Sequence, residues 1–159
     1  MAEEQVLLLA RAASSQTNAD AALFELSQIF CVNENIQVRL LICDTLEALQ
    51  PNLCQSNIPE RIQRNFYAVL QSTDHMARAL ALRAATSLLP TLGFDNTLAS
   101  CITDTLKGDT TRPEYKMAIK CLPYIFEYFE DGSASTQALI LEILSAFIIS
   151  QENNRSKYQ

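Results

Sequence analysis

Hydrophobic residues recur along this 159-residue chain at the spacing of amphipathic helices. Apolar side chains at positions i, i+3, i+4 and i+7 lie on one face of an α-helix and predict that this face is buried. Four segments have this spacing, and we call them the A helices. Their apolar residues are Leu23, Leu26, Ile29 and Phe30 in the first; Ile62, Phe66, Val69 and Leu70 in the second; Leu98, Cys101, Ile102 and Leu106 in the third; and Leu139, Ile143, Leu144 and Phe147 in the fourth. The pattern predicts an all-α protein.

A second set of segments, the B helices, alternates with the first and carries an internal repeat. The residues that match at a spacing of 39 are Val38-Arg39, Ile42, Leu46, Leu49, Pro51 and Leu53, then Ala77-Arg78, Ala81, Ala85, Leu88, Pro90 and Leu92. A weaker third copy has Tyr115-Lys116 and Ile119 after a further 38 residues. This period is close to the roughly 40 to 47 residues of HEAT and armadillo repeats and differs from the roughly 33 to 34 of ankyrin and tetratricopeptide repeats.

Residues that favour helix ends agree with this division. Asn18, Asp74 and Asp95 suit N-cap positions, and Pro59 and Pro113 suit a first helical turn. The predicted helix ends are Pro51, Pro90, Gly93, Gly108 and Asp131-Gly132-Ser133. With a first helix from about Glu3 to Ala13, we predict about eight helices in a HEAT- or armadillo-like α-solenoid. We expect residues 1–150 to form a single domain and residues 151–159 a flexible polar tail.

Composition narrows the classes of partner. Twelve Lys and Arg residues against 18 Asp and Glu residues give a net charge of −6, which disfavours direct binding of nucleic acid.

The five cysteines, Cys31, Cys43, Cys54, Cys101 and Cys121, include no C-x-x-C pair, so we expect free thiols in an intracellular protein. The acidic start Met1-Ala2-Glu3-Glu4 indicates no export signal. The apolar stretch Ala138 to Ile149 is shorter than the roughly 20 residues that span a bilayer, so we expect no membrane contact.

Residues for catalysis or cofactor binding are scarce. His75 is the single histidine, the three glycines are isolated, and the acidic group Glu127, Glu130 and Asp131 lacks the ligand order of a calcium loop. We therefore predict a protein that is not an enzyme, with no catalytic residue, no metal site and no cofactor. The aromatic residues from Tyr124 to Phe129 suit a helix core better than a stacking surface, although both interpretations stay open.

Polar positions of the B helices are the candidates for partner binding. Arg39, Arg78 and Lys116 recur at one repeat position, where a structural role toward neighbouring carboxylates and carbonyls is favoured over a phosphate-binding ladder. The residues opposite the apolar stripe of the B helices, predicted to contact a partner, are Asp44, Glu47, Arg83, Ser87 and Lys120. Changing Arg83 to Glu is expected to weaken partner recruitment and to leave folding intact.

The last predicted helix, from about Ala134 to Ile149, is apolar around most of its circumference. One neighbouring helix pair cannot bury all of that surface, and a solenoid needs polar faces at its ends. We therefore predict self-association through residues 139 to 149. Changing Ile140 and Phe147 to Ser or Gln is expected to suppress it.

The segment from Ala22 to Leu92 resembles the N-terminal region of the Integrator complex subunit 7 family. The likeness rests on Leu23 to Phe30, Val32, Asn35, Arg39-Leu40, and the block Arg64-Asn65-Phe66-x-x-Val69-x-x-Ser72-x-Asp74-x-x-Ala77-Arg78-Ala79-x-x-Leu82-Arg83. His75-Met76 departs from the family, which typically has proline after the aspartate.

The resemblance implies a nuclear, non-catalytic scaffold subunit that binds other Integrator subunits during small nuclear RNA 3′-end processing and attenuation of transcription by RNA polymerase II. Because the predicted helices begin with a B helix and end with an A helix, we expect the chain to be a fragment or a divergent form of a longer solenoid. The alternative is a HEAT-type cytoplasmic adaptor or regulatory subunit that binds a partner peptide in its concave groove.

Overall fold

The computed structural model describes residues 2–14, 19–53, 60–89 and 95–157, and within these ranges the chain forms eight α-helices joined by short turns and loops, without strands. The eight helices are α1 (Ala2–Ala13), α2 (Ala19–Val32), α3 (Ile36–Leu53), α4 (Glu60–Leu70), α5 (His75–Ser87), α6 (Asn96–Leu106), α7 (Pro113–Phe126) and α8 (Ala134–Lys157). The predicted all-α class and the predicted number of helices are confirmed for this part of the chain.

The chain forms two compact units, Met1–Gly93 and Phe94–Gln159. The first unit contains α1 to α5, and the second contains α6 to α8. The prediction that residues 1–150 form a single repeat domain stays a prediction.

Helices of the first unit pack in two layers. The A helices α2 and α4 lie against each other, and the B helices α1, α3 and α5 follow one another in the second layer. Contacts of α1 with α2 and of α4 with α5 join the layers. Between α2 and α4, the rings of Phe30 and Phe66 are both fully buried, with centroids 5.3 Å apart. This packing of alternate helices is consistent with an α-solenoid, in which each repeat buries its apolar face against the next.

The 39-residue repeat includes the N-caps of two B helices. Helix α3 begins directly after Asn35 and α5 directly after Asp74. In each case the cap's side-chain oxygen accepts hydrogen bonds from the amides of the second and third helical residues, at 2.8 and 3.4 Å in α3 and at 2.9 and 3.3 Å in α5. The amides of the two caps donate to Asn33 Oδ1 and Ser72 Oγ, again 39 residues apart. The Asp74 cap was predicted, whereas Asn35 was missed although the repeat spacing indicates it.

Most other helix ends agree with the sequence. Asp95 caps α6 by accepting a hydrogen bond from the Leu98 amide at 2.9 Å, and Pro113 is the first residue of α7. Helix α6 ends two residues before Gly108. The predicted signals at Asn18, Pro59, Pro90 and Gly93 lie outside the described residues.

Two predicted helix ends are wrong. Helix α3 continues past Pro51 to Leu53, and α8 continues past Ile149 to Lys157, so residues 151–157 are helical where a loose tail was expected. Neither Gly nor Pro interrupts α8 after Ile149, and a helix that has already formed extends at little cost per residue.

The length of α8 also corrects the estimate of its apolar stretch. Ala134–Arg155 is 22 residues long, and by length and composition alone it is apolar enough to cross a membrane. The expectation of no membrane contact stays a prediction.

In the second unit, α6 packs against both α7 and α8. The hydroxyl groups of Tyr115 on α7 and Ser150 on α8 form a buried hydrogen bond of 2.5 Å. In the first turn of α8, the side chain of Gln137 donates to the carbonyl of Phe129, which precedes the helix, at 2.7 Å. Helix α8 buries Ile140, Ile143 and Ala146 in this unit.

Candidate partner-binding surface on α3 and α5

Three of the five predicted partner-binding residues form one ion-pair cluster. The guanidinium of Arg83 on α5 donates from Nε to Glu47 Oε1 at 2.7 Å and from Nη2 to Glu47 Oε2 at 2.9 Å. The same Nη2 donates to Asp44 Oδ1 at 2.7 Å. Both carboxylates lie on α3, so the cluster joins two successive B helices. Its fork geometry is the one with which arginine binds a carboxylate most specifically.

The repeat explains why Asp44 and Arg83 meet. The two residues are 39 apart and therefore occupy the same position of successive B helices. Since α3 packs against α5, residues at equivalent positions become neighbours. The change of sign at this position was visible in the sequence, but its consequence, an ion pair between repeats, was not predicted.

The two acidic side chains of the cluster are more exposed than the basic one. The exposed fractions of the side chains are 64% for Asp44, 48% for Glu47 and 23% for Arg83. Hydrogen bonding to Glu47 is the main cause that raises the pKa of the Arg83 guanidinium above its ordinary value, and partial burial opposes it. Arg83 therefore stays charged, and the cluster has one net negative charge on partly exposed side chains. Such a surface can accept hydrogen bonds from Lys, Arg or amide donors of a partner.

The other two predicted contact residues, Ser87 and Lys120, are not members of this ion-pair cluster. Ser87 is half-buried, and its hydroxyl donates to the backbone carbonyl of Arg83 at 3.0 Å. Lys120 is exposed on α7, in the second unit. Partner binding by these five residues stays a prediction.

The basic repeat position differs between its three members. Arg39, Arg78 and Lys116 are each the fourth residue of their helices. Arg39 is buried, donates to the carbonyls of Phe30 at 2.9 Å and Cys31 at 3.3 Å, and lies 5.6 Å from the Phe30 ring centroid. It therefore satisfies carbonyls at the C-terminus of α2, where a positive charge is also favoured by the helix dipole. Arg78 is half-buried and Lys116 is exposed.

The residues that carry the family likeness hold the first unit together. Asn65 on α4 donates to the buried hydroxyl of Ser27 on α2 at 2.9 Å. Phe66 packs on Phe30, and Asp74 caps α5. The distinctive block of the sequence is thus placed at contacts between helices.

A groove of about 630 Å³ lies in the second unit, between the α6–α7 loop and the C-terminal half of α8. Its walls combine Lys107, Asp109, Asn153 and Asn154 with the apolar side chains of Leu106, Ala146 and Ile149. The volume is in the usual range of ligand pockets, but such sites are mostly apolar, and here the charged and amide groups share the lining.

Within the described ranges, no group of three or more His, Cys, Asp or Glu residues is arranged to hold a metal ion. Cys31, Cys43, Cys101 and Cys121 are free thiols, and Cys54 lies outside these ranges. Cys43 on α3 donates from Sγ to the carbonyl of Leu80 on α5 at 3.4 Å, as a buried small side chain does in a helix interface.

Comparison of the chain with protein-family models, with curated proteins and with solved structures finds no match.

A charge exchange tests whether Arg83 contributes to stability. We expect Arg83→Glu to lower the free energy of unfolding by about 1 kcal/mol or less, because it replaces a partly solvated ion pair by three neighbouring carboxylates. The double variant Asp44→Lys with Arg83→Glu should recover most of that loss, since it restores opposite charges at the two repeat positions. Urea unfolding followed by circular dichroism measures the unchanged chain, the single variants Arg83→Glu and Asp44→Lys, and the double variant. Additive effects of the two substitutions would contradict a direct pair.

Proposed function

We propose that this chain is a non-enzymatic, HEAT-like α-solenoid scaffold subunit of the Integrator complex, which acts by binding other protein subunits in the nucleus. The observation that supports the scaffold role best is the stacking of alternate helices in the first unit, where α2 packs on α4 and α3 on α5. Helices stacked in this way present successive polar faces to a partner over an extended surface.

The proposal of Integrator rests on the resemblance of Ala22 to Leu92 to the subunit 7 family. The residues of that resemblance pack α2 against α4 and cap α5. They support a shared repeat structure, and the likeness of the block around Arg64 to Arg83 supports membership of the complex. Function through protein binding also agrees with the acidic cluster, which offers exposed carboxylates and no nucleophile.

Affinity purification from nuclear extract tests this proposal. The full chain, carrying an affinity tag, is expected to retain several Integrator subunits together, identified by mass spectrometry. The control bait is Leu80→Ala, which is expected to disturb the stacked helices and to lose these proteins. Retention of other nuclear proteins without any Integrator subunit would contradict the proposal.

A second candidate function is a cytoplasmic HEAT-type adaptor that binds a basic peptide. The observation in its favour is the exposed pair Asp44 and Glu47, which leaves the cluster with a net negative charge. If this function applies, the tagged chain should retain a partner protein from cytoplasmic extract. The double variant Asp44→Asn with Glu47→Gln should then lose that partner while its helicity stays unchanged. If the chain is an Integrator subunit instead, it should retain Integrator subunits from nuclear extract and no comparable partner from cytoplasmic extract.

A further inference from the structure

One face of α8 is apolar and exposed. The exposed fractions are 50% for Leu141, 36% for Leu144, 47% for Ile148 and 56% for Ile149. Leu141, Leu144 and Ile148 are three to four residues apart and Ile149 follows Ile148, so all four lie on adjoining turns of the helix, around the small exposed side chain of Ser145. Four large apolar residues so close together form a patch of the kind that marks an interaction site.

The patch differs from the set of residues expected from the sequence. Ile140 was expected to be exposed and available for self-association, but it is 2% exposed and lies in the core of the second unit. Phe147 is half-buried. The sequence showed that α8 is apolar on most sides, and the packing of α6 determines which side is left in solvent.

We propose that a second copy of this chain covers the patch, with α8 pairing antiparallel to its counterpart about a two-fold axis between Leu144 and Ser145. In this register Leu141 of each copy lies opposite Ile148 of the other. Leu144 lies beside Ser145 of the second copy, and the small serine leaves room for the leucine. A two-fold axis brings the same patch of both copies together, so the surface must be complementary to itself.

The charges at the two ends of α8 favour this occupant. Glu130 and Asp131 are exposed just before the helix, and Arg155 is exposed close to its end. In the antiparallel register Arg155 lies opposite Ala134 of the second copy, three residues from Asp131. Two opposite-charge contacts therefore flank the apolar centre, one at each end. A parallel pair would instead place the two Arg155 side chains together.

A lipid surface fits the patch less well. Glu142 and Glu152 are exposed on the same helix, and the chain as a whole has a net charge of −6. Helices that lie in a membrane interface have Lys and Arg on their polar face, because anionic headgroups attract them. The carboxylates around this patch would be repelled by such a surface.

The predicted dimer is weak. The exposed apolar residues of the patch extend only from Leu141 to Ile149, a small part of the surface that a standard stable interface of about 1,200 Å² or more needs. We therefore expect a dissociation constant on the order of micromolar, with the position of the equilibrium set by protein concentration.

Sedimentation equilibrium of the full chain across the micromolar range tests the proposal. The apparent mass should rise from 17.7 kDa toward twice that value with concentration. Leu144→Gln with Ile148→Gln should weaken association by about tenfold or more, because glutamine keeps the helix and removes the apolar contact. The matched control is Leu7→Gln with Leu8→Gln on α1, where both leucines are also exposed; it should associate like the unchanged chain.

A charge exchange tests the antiparallel register. Arg155→Glu alone and Asp131→Lys alone should each weaken the dimer, and the two together should restore it. Asp131→Lys leaves the start of α8 intact, because the Ser133 hydroxyl accepts the hydrogen bond from the Thr136 amide there.

Three outcomes would overturn the proposal. The first is a mass that stays at 17.7 kDa at every concentration. The second is association that survives the Leu144 and Ile148 changes and is lost in the α1 control. The third is a monomer that floats with phosphatidylcholine or phosphatidylserine vesicles through the same residues, which would assign the patch to lipid.

Discussion

Replacing Leu80 by Ala is expected to lower the free energy of unfolding by about 2–5 kcal/mol. Leu80 is buried on α5, in the layer of B helices, and α5 packs against both α3 and α4. Removing three carbon atoms at this position leaves a cavity that the surrounding helices fill only in part. Because Leu80 is only 2% exposed, the gap lies inside the packed helices and not at their surface.

Urea unfolding followed by circular dichroism measures this effect. The matched control is Leu8→Ala on α1, because the same substitution there affects an exposed side chain. We expect its free energy of unfolding to change by no more than about 0.5 kcal/mol. Equal effects at the two positions would show that Leu80 does not belong to the stacked core.

Replacing Arg39 by Met is expected to lower the free energy of unfolding by about 1.5–3 kcal/mol. The methionine keeps an apolar side chain of similar length, but it has no donor for the carbonyls of Phe30 and Cys31. These carbonyls lie at the C-terminus of α2, where no further helical amide follows to bind them. The protein therefore loses stability because two carbonyl oxygens no longer have the charged hydrogen-bond donor of the buried Arg39 side chain.

The control for Arg39 is Lys116→Met. Lys116 is also the fourth residue of a B helix, but it is exposed, so its replacement should change stability by no more than about 0.5 kcal/mol. Thermal and urea unfolding of the two variants give the comparison. An unchanged free energy of unfolding for Arg39→Met would mean that the two hydrogen bonds of Arg39 contribute no net stability. A large loss for Lys116→Met would show that this repeat position contributes to stability in both units.

Local features of the fold could be predicted from the sequence. Asp74 and Asp95 cap their helices as expected, and α3 and α5 begin 39 residues apart. Caps and amphipathic spacing depend on residues within about one helical turn, so a single chain segment contains the information. The end of α8 was missed because the polar residues after Ile149 were interpreted as a loose tail. The exposed surface of a helix places polar side chains in solvent equally well.

The candidate site could be predicted only in part. Asp44, Glu47 and Arg83 were chosen because they lie on the B-helix face opposite the apolar stripe, and these three of the five chosen residues do meet. Their mutual pairing was missed, because hydrophobic spacing within one helix does not show which charges of two helices lie opposite each other. The repeat spacing contained this information for Asp44 and Arg83.

By itself the sequence determined the helical class, most of the helix ends, the 39-residue repeat and the absence of sequence patterns for catalysis. Only the tertiary structure decided that Arg39 is buried and Lys116 exposed at the same repeat position, and that Ile140 is buried while Leu141 faces solvent. Hydrogen bonds and caps that form a helix join residues a few positions apart, so the sequence specifies them directly. Burial of one helix face depends on the helices packed beside it, and these come from residues that are distant in the chain.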